Sequence, residues 1–369
     1  MTRKYDITLV DKIKEKQYQM TRRDVAVTVK PIPDCDITGA MDPRLYQTQK
    51  KISLLMKFMP KSLMKFDASP KSIKRLRKMF NNVDATPIVE ETIDEFNFTV
   101  KAEDGYEIPM IRFQTETPIE NSPVLYFIHG GGFFAGSIDV IREALRLFVS
   151  QTNMIAVSID YRLAPENPYP TGHKDCYSGL RWLADNAKEW GADPQSIFVA
   201  GDSAGGNLTA YCSNRDIEEN RQDVCGQILL YPTLNMGEIK DQYTEFDITR
   251  DVMMYKKHEN VIRPTIEIFS GMTSGLSEIL GTDNVLNKYL TPYMSVSEKM
   301  PPTMITSGEH DFLTFESLAY AKKLVDLGVN TTVTIYNGMG HAYIDQIGNF
   351  PQAEDCIYDM IDFVKKNRR

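Results

Sequence analysis

The order of apolar and polar positions changes character near residue 95. From there on, short apolar runs recur at residues 124–128, 154–159, 196–200, 227–231, 303–307 and 331–336. Runs of this length are typical of strands that are buried on both faces of a sheet. Just before them, residues 96–114 alternate apolar and polar positions on either side of Asp104-Gly105, which predicts a β-hairpin.

Segments of helix length lie between several of these runs, at 139–151, 173–190 and 315–328. Strands that alternate with helices predict a mostly parallel sheet covered by helices on both faces. Two long segments, 1–92 and 234–300, interrupt the alternation, and inserts of that length usually serve a function. Because the first hairpin starts near residue 95, we expect everything before it to lie outside the sheet.

Composition and charge narrow the class of protein. The chain has 369 residues, of which 42% are hydrophobic and 25% charged, which excludes a disordered chain or a coiled coil. A net charge of -8 argues against a surface built for nucleic acid. Residues 1–88 carry 19 Lys and Arg against 9 Asp and Glu, a net charge of +10, so the remainder carries -18. The N-terminal segment is therefore chemically distinct.

Cysteine usage and apolar run lengths bear on location. The five cysteines are widely spaced and form no Cys-x-x-Cys motif, so we expect reduced thiols and no zinc site. The first 20 residues break every apolar run with charge, and no run approaches the roughly 20 apolar residues of a membrane span. We expect a cytoplasmic protein. The basic stretch 57–80 is predicted to be a solvated helix rather than a membrane-bound one, since Pro60 and Pro70 interrupt it.

The pentapeptide at 201–205 reads Gly-Asp-Ser-Ala-Gly and stands between a predicted strand and a predicted helix. Such a turn holds a serine in a strained backbone conformation at a helix N-terminus, and small flanking residues let the turn close. Ser203 is therefore the candidate nucleophile. The neighbouring Asp202 is expected to brace a nearby loop rather than to polarise Ser203.

A second glycine-rich segment, His129-Gly-Gly-Gly-Phe133, follows the strand at 124–128. Glycines let a backbone turn its N–H groups toward a ligand, and acyl transfer needs such donors for its oxyanion. Gly131 and Gly132 are the predicted donors, joined by the N–H of Ala204. A phosphate-binding loop is excluded, because no Gly-Lys-Ser/Thr or dinucleotide fingerprint follows. His129 is expected to anchor the loop.

A serine nucleophile needs a general base and an orienting carboxylate. Of the five histidines, only His310 and His341 lie late in the chain near predicted strand ends. His341 sits in a glycine-rich loop that can reach a serine on a neighbouring strand, so it is the predicted base. Asp311 is the predicted acid, with Glu309 as the alternative. The order serine, acid, histidine is that of α/β-hydrolases.

The motifs together resemble one family. HGGGF, DYRLAPENPYP at 160–170, GDSAGGN at 201–207, GEHD at 308–311 and GMGH at 338–341 occur in the order of the hormone-sensitive-lipase-like esterases. This resemblance implies an α/β-hydrolase fold in which 93–233 and 301–369 form the catalytic domain. It also implies a helical cap made of the segments 1–92 and 234–300. Phe312 departs from the family pattern, because many relatives have proline after the acid.

The resemblance implies a serine carboxylesterase that hydrolyses short-chain esters, such as acetyl esters, through an acyl-enzyme without a metal or organic cofactor. Phe133 and Phe134 are expected to line the substrate pocket, and Arg162 and Glu166 to brace the loop behind it. An amidase or peptidase on the same residues, and a non-catalytic ligand-binding protein of the same fold, are the alternatives. The expected partner is a small ester, with no nucleic acid and no membrane contact. The oligomeric state stays open, a homo-oligomer included.

Overall fold

The computed structural model describes residues 2–56 and 66–369. Their strands form one sheet, and the strands are β1 Tyr18–Arg22, β2 Val25–Lys30, β3 Asp94–Lys101, β4 Glu107–Gln114, β5 Ser122–Ile128, β6 Ile155–Ile159, β7 Ala192–Asp202, β8 Val224–Leu230, β9 Thr303–Gly308 and β10 Thr331–Tyr336. The α-helices are α1 Thr8–Lys16, α2 Pro43–Met56, α3 Pro70–Phe80, α4 Ile138–Thr152, α5 Thr171–Asn186, α6 Ala204–Glu218, α7 Ile248–Asp251, α8 Glu259–Leu280, α9 Thr314–Asp326 and α10 Pro351–Asn367.

The sheet has the order β1-β2-β10-β9-β8-β7-β5-β6-β4-β3. Its centre, from β2 through β10, β9, β8, β7 and β5 to β6, is parallel, whereas β1, β3 and β4 pair antiparallel. Each of the six predicted apolar runs falls on one of the strands β5 to β10, and the predicted hairpin is β3–β4. The sequence prediction of a mostly parallel sheet is confirmed.

Helices cover both faces of this sheet. Along β5, Leu125 and Phe127 belong to a core that includes residues of α4 and α10. The alternate residues Tyr126 and Ile128 belong to a second core with residues of α5 and α6. Because successive side chains of a strand point to opposite faces, a strand between two helical layers must be apolar at every position. This double burial explains the continuous apolar runs.

The expectation that residues 1–92 lie outside the sheet is wrong for their first third. The strand β2 pairs parallel with β10, so that Thr28 lies opposite Thr334, and β1 then forms the edge. Lys30, which is 2% exposed, places its ammonium 2.6 Å from Asp355 of α10. Hydrophobic periodicity is a local signal, so it cannot tell that a six-residue strand pairs with another 300 residues later.

The two segments assigned to a cap contact each other. The helix α2 packs against α8 of the 234–300 segment. The backbone N–H of Met41 donates to Nδ1 of His258 over 3.1 Å, and the rings of Tyr46 and His258 stack with centroids 3.9 Å apart. The later part of residues 1–92 therefore meets the insertion, and the assignment of both segments to a cap stays a prediction.

Two sequence expectations concern membranes and thiols. Within the described ranges, no helix combines the length and the apolar character that crossing a bilayer needs. Of the basic stretch 57–80, residues 57–65 lie outside the described residues, and α3 forms most of the remainder. All five cysteines lie in the described ranges and are free thiols.

Candidate active site

Ser203 stands at the turn between β7 and α6. Its backbone has φ 53° and ψ -116°, a conformation that is costly for a residue with a side chain. The flanking glycines make the turn possible: a Cβ on Gly205 would lie 2.0 Å from the carbonyl oxygen of Ile128, and one on Gly201 would lie 2.3 Å from that of Gly205. The pattern Gly-x-Ser-x-Gly is thus imposed by backbone packing, and it leaves Ser203 at the helix N-terminus.

The structure joins Ser203 to His341 and Asp311. The distance from Nε2 of His341 to Oγ of Ser203 is 2.9 Å, and from its Nδ1 to Oδ2 of Asp311 it is 2.8 Å. Asp311 is buried and also accepts the N–H of Leu313 over 2.9 Å. This geometry places a base against a hydroxyl and fixes the imidazole by a carboxylate, which is the arrangement that activates a serine.

His310 and Glu309, the alternative base and acid, have hydrogen-bond partners other than Ser203 and His341. Nε2 of His310 lies 3.3 Å from the carbonyl oxygen of Met253, and its buried Nδ1 has no hydrogen-bond partner among the described residues. Burial lowers the pKa of His310 below its ordinary value. Glu309 accepts the N–H of Gly338 over 2.9 Å and so braces the histidine-bearing loop. Neither contacts Ser203 in the described hydrogen bonds.

The glycine loop, residues 129–136, supplies free backbone donors beside this site. Gly131 and Gly132 adopt φ of 110° and 61°, values that favour glycine. In the described part of the chain, their N–H groups donate to no protein acceptor. Ala204 begins α6, so its N–H has no acceptor within the helix. The three predicted donors are therefore available to a ligand.

Asp202 braces the start of this loop, as expected from its position beside Ser203. Its Oδ1 accepts the N–H of Gly130 over 2.7 Å, and burial raises the pKa of this carboxyl to about 6. His129 stacks on Tyr161 with ring centroids 4.5 Å apart, and its Nδ1 lies 2.7 Å from the carbonyl oxygen of Gly130. Both side chains thus hold the loop.

Phe133 and Phe134 are more enclosed than pocket-lining residues usually are. They are 3% and 0% exposed and belong to the core on the α5–α6 face of the sheet. The ring of Phe133 stacks near His173, and that of Phe134 packs edge-on against Phe80. Their role in lining a substrate pocket stays a prediction.

Sequence reasoning missed the aromatic surroundings of His341. The ring centroid of Tyr231 lies 4.8 Å from that of His341, and the centroid of Phe312 lies 5.2 Å from it. Phe312, the departure from the family pattern, thus packs on the imidazole. The position of Phe312 directly after Asp311 could have indicated this contact from the sequence. Tyr231 is distant in the chain and lies near His341 because the order of strands in the sheet brings them together.

The two bracing residues of the 160–170 motif have clear partners. Arg162 forms two side-chain hydrogen bonds to Asp175, of 2.9 and 2.7 Å, and one to Asp104 of 2.7 Å. Glu166 pairs with Arg77 of α3, whose hydrogen bonds hold the pKa of Glu166 below its usual value. The loop is therefore braced from the hairpin on one side and from the N-terminal segment on the other.

Comparison with known proteins agrees with this geometry. Residues 125–345 match a family described by its alpha/beta hydrolase fold. Carboxylesterase NlhH of Mycobacterium tuberculosis is 30% identical over 307 residues, which span 74% of this chain and 93% of that protein. An arylesterase of Saccharolobus solfataricus is 26% identical over 280 residues, which span 75% of this chain and 86% of the relative. The thermostable esterase of Pseudomonas putida ECU1011 has a similar structure, with a TM-score of 0.70, 25% identity, and coverage of 91% and 99% of the two chains.

A parallel sheet with a serine at the β7–α6 turn and an acid and a histidine on later loops defines an α/β-hydrolase. The chain belongs to the hormone-sensitive-lipase-like family of α/β-hydrolases. It is a carboxylic ester hydrolase, as its esterase relatives and structural neighbours indicate.

Proposed function

We propose that the chain hydrolyses short-chain carboxylic esters, such as acetyl esters, through an acyl-enzyme on Ser203. The observation that carries this proposal is the continuous chain of contacts from Ser203 through His341 to Asp311. His341 takes the proton of Ser203 as Oγ attacks the ester carbonyl. It then donates that proton to the leaving alcohol, and Asp311 stabilises the imidazolium between the two transfers.

The backbone N–H groups of Gly131, Gly132 and Ala204 stabilise the negative charge that forms on the carbonyl oxygen. These donors are fixed before the substrate binds, so they cost little reorganisation in the transition state. A water molecule then attacks the acyl group of Ser203, with His341 again acting as the base. The carboxylic acid leaves and the free serine is restored.

The preference for a small acyl group is supported by the packing at the glycine loop. A Cβ on Gly132 would lie 2.7 Å from Cε1 of Phe134 and 3.5 Å from Cδ2 of Leu276. The space on the Cβ side of Gly132 is thus filled by side chains of the protein itself. An acyl chain that extended on this side of Gly132 would need these side chains to move, whereas an acetyl group is too short to reach far into that space.

The nucleophile is tested with a fluorophosphonate probe and the variant Ser203→Ala. We expect one labelled site and a loss on the order of 10⁶ in kcat in the variant, as for other serine hydrolases. Ser213→Ala, in the same helix α6, is the control and should keep wild-type labelling. Labelling that persists in Ser203→Ala would disprove the assignment.

Substrate class is tested with aryl esters of increasing acyl length, acetylated sugars and matched aryl amides. The proposal expects kcat/KM to fall steadily beyond short acyl chains and to be far lower for the amides. A maximum at long chains would contradict the acyl preference. Amide hydrolysis that equals ester hydrolysis would favour an amidase, and labelling without turnover of any substrate would favour a binding protein.

A further inference from the structure

The C-terminal turn of α3 lies directly on the glycine loop, although 50 residues of chain separate them. Three residues on one side of this turn make the contact, namely Arg77, Phe80 and Asn81. The ring of Phe80 packs edge-on against Phe134, with centroids 5.6 Å apart. Oδ1 of Asn81 accepts the backbone N–H of Gly136 over 2.8 Å. The far end of the loop is therefore attached to α3.

Arg77 donates hydrogen bonds to one backbone carbonyl of the glycine loop and to one of the neighbouring 160–170 loop. Its Nε donates to the carbonyl oxygen of Phe134 over 2.7 Å, and its Nη2 donates to that of Ala164 over 3.0 Å. The remaining N–H groups of the fork bind both carboxylate oxygens of Glu166, at 2.8 and 2.6 Å. One guanidinium thus joins the glycine loop to the 160–170 loop. The two loops are also joined directly, because the backbone N–H of Ala164 donates to the carbonyl oxygen of Phe133 over 3.0 Å.

The loop needs such an external restraint because of its own composition. Gly131, Gly132 and Gly136 all adopt positive φ, and glycine has the widest conformational freedom of any residue. The catalytic value of backbone donors depends on their being fixed before the charge forms. Asp202 restrains the start of the loop through Gly130, so a second restraint at Phe134 and Gly136 fixes the segment between them.

We propose that Arg77 is a positioning residue that holds Gly131 and Gly132 in the geometry of the oxyanion hole. By this contact the N-terminal segment takes part in assembling the catalytic site. The inference rests on the proposed roles of Gly131 and Gly132. Arginine is required because its planar fork supplies several N–H groups in fixed directions, whereas the single ammonium of lysine cannot reach both carbonyls and the carboxylate.

Four variants test this role. Arg77→Met removes all donors and retains much of the length, Arg77→Lys retains the charge, and Glu166→Gln weakens the ion pair while leaving both carbonyl contacts. Lys78→Met, at an exposed position in the same turn of α3, is the matched control. Each is assayed for kcat and KM with 4-nitrophenyl acetate. Each is also assayed for its affinity toward a trifluoromethyl ketone, because the serine adds to the ketone carbonyl and gives a hemiketal oxyanion.

Removal of an oxyanion donor costs about 10²- to 10³-fold in kcat, and a displaced donor should cost less. We therefore expect kcat of Arg77→Met to fall about 10- to 100-fold, with a parallel loss of ketone affinity and KM within about threefold of wild type. For Arg77→Lys the fall in kcat should be about half as large on a logarithmic scale. For Glu166→Gln kcat should fall less than about threefold, and for Lys78→Met it should not change.

Hydrogen exchange gives a second readout that needs no turnover. In Arg77→Met, amides of residues 129–136 should exchange faster than in wild type, with the remaining parallel strands unchanged. A folded Arg77→Met with wild-type kcat, ketone affinity and exchange would overturn the inference, as would a loss of melting temperature alone. If Arg77→Met does not fold, Arg77→Lys decides by the same three readouts. Failure of the wild type to hydrolyse 4-nitrophenyl acetate would count against the proposed function, while hydrogen exchange of the loop would still test the role of Arg77.

Discussion

Nζ of Lys30 lies 2.6 Å from Oδ2 of Asp355, and this buried ion pair joins β2 to the last helix, α10. A second carboxylate, that of Asp359, lies 2.6 Å from the same ammonium. The hydroxyl of Tyr336 completes the cluster by donating to Asp355 over 2.8 Å. The N-terminal strand is therefore part of the packed domain, and its loss would leave two acidic groups without their cation.

The variant Lys30→Ala should lower the free energy of unfolding by about 3–5 kcal/mol, because it leaves buried carboxylates unpaired. The control Lys16→Ala breaks the pair with Asp36, whose side chains are 40% and 87% exposed, and should cost less than about 1 kcal/mol. Urea denaturation of both variants measures the difference. Equal, small effects would mean that β2 adds little to the stability of the domain.

His341, rather than His310, should be the general base. His341→Ala is expected to lose about 10⁴- to 10⁶-fold in kcat, since of the two histidines His341 is the one that contacts Oγ of Ser203, and Asp311→Asn about 10⁴-fold. His310→Ala should lose less than about tenfold, because its ring faces Met253. Steady-state kinetics on variants with wild-type circular dichroism provide the comparison, and the reverse ranking would refute the assignment.

The packing of the β7–α6 turn should make Gly205 irreplaceable. In Gly205→Ala the new methyl group would meet the carbonyl oxygen of Ile128, a backbone atom that cannot move aside. We expect a loss of about 1–3 kcal/mol in the free energy of unfolding and a large loss of activity. The control is Gly271→Ala in α8, where a Cβ would meet no heavy atom of the described residues within 4 Å and should stabilise the helix by about 0.5–1 kcal/mol. If thermal unfolding shows the two variants to be alike, this account of the turn fails.

The buried carboxyl of Asp202 predicts a pH dependence of stability. Because burial raises its pKa from near 3.8 to about 6, the folded state binds a proton more tightly than the unfolded state. The contribution of the protonated Asp202 to the free energy of unfolding is fully present below about pH 4 and is lost as the pH rises through about 6.

Asp202→Asn removes this titration while its amide oxygen can still accept the N–H of Gly130. Relative to wild type, its free energy of unfolding should improve as the pH rises from 4 to 7. Asp283→Asn, at an exposed position, should run parallel to wild type. Denaturation curves at each pH give the comparison, and a constant offset for Asp202→Asn would contradict the prediction.

The sequence by itself determined those features whose physical cause is local. The double burial of β5 to β10 produces continuous apolar runs, and the turn at Ser203 requires small residues at 201 and 205. Positive φ at 131 and 132 likewise favours glycine. Since each of these constraints acts within a few residues, each leaves a readable pattern, and the expected sheet, hairpin and candidate site residues follow from it.

Tertiary structure alone decided which distant residues meet. The strand β2 joins β10, the ring of Tyr231 reaches His341, and Arg77 reaches the glycine loop, each across more than 50 residues of chain. No periodicity encodes such contacts, because they arise from the order of strands in the sheet and from where α3 docks. For the same reason, composition showed a basic N-terminal segment, but only the fold divided its described residues into two sheet strands and three helices, of which α3 contacts the glycine loop.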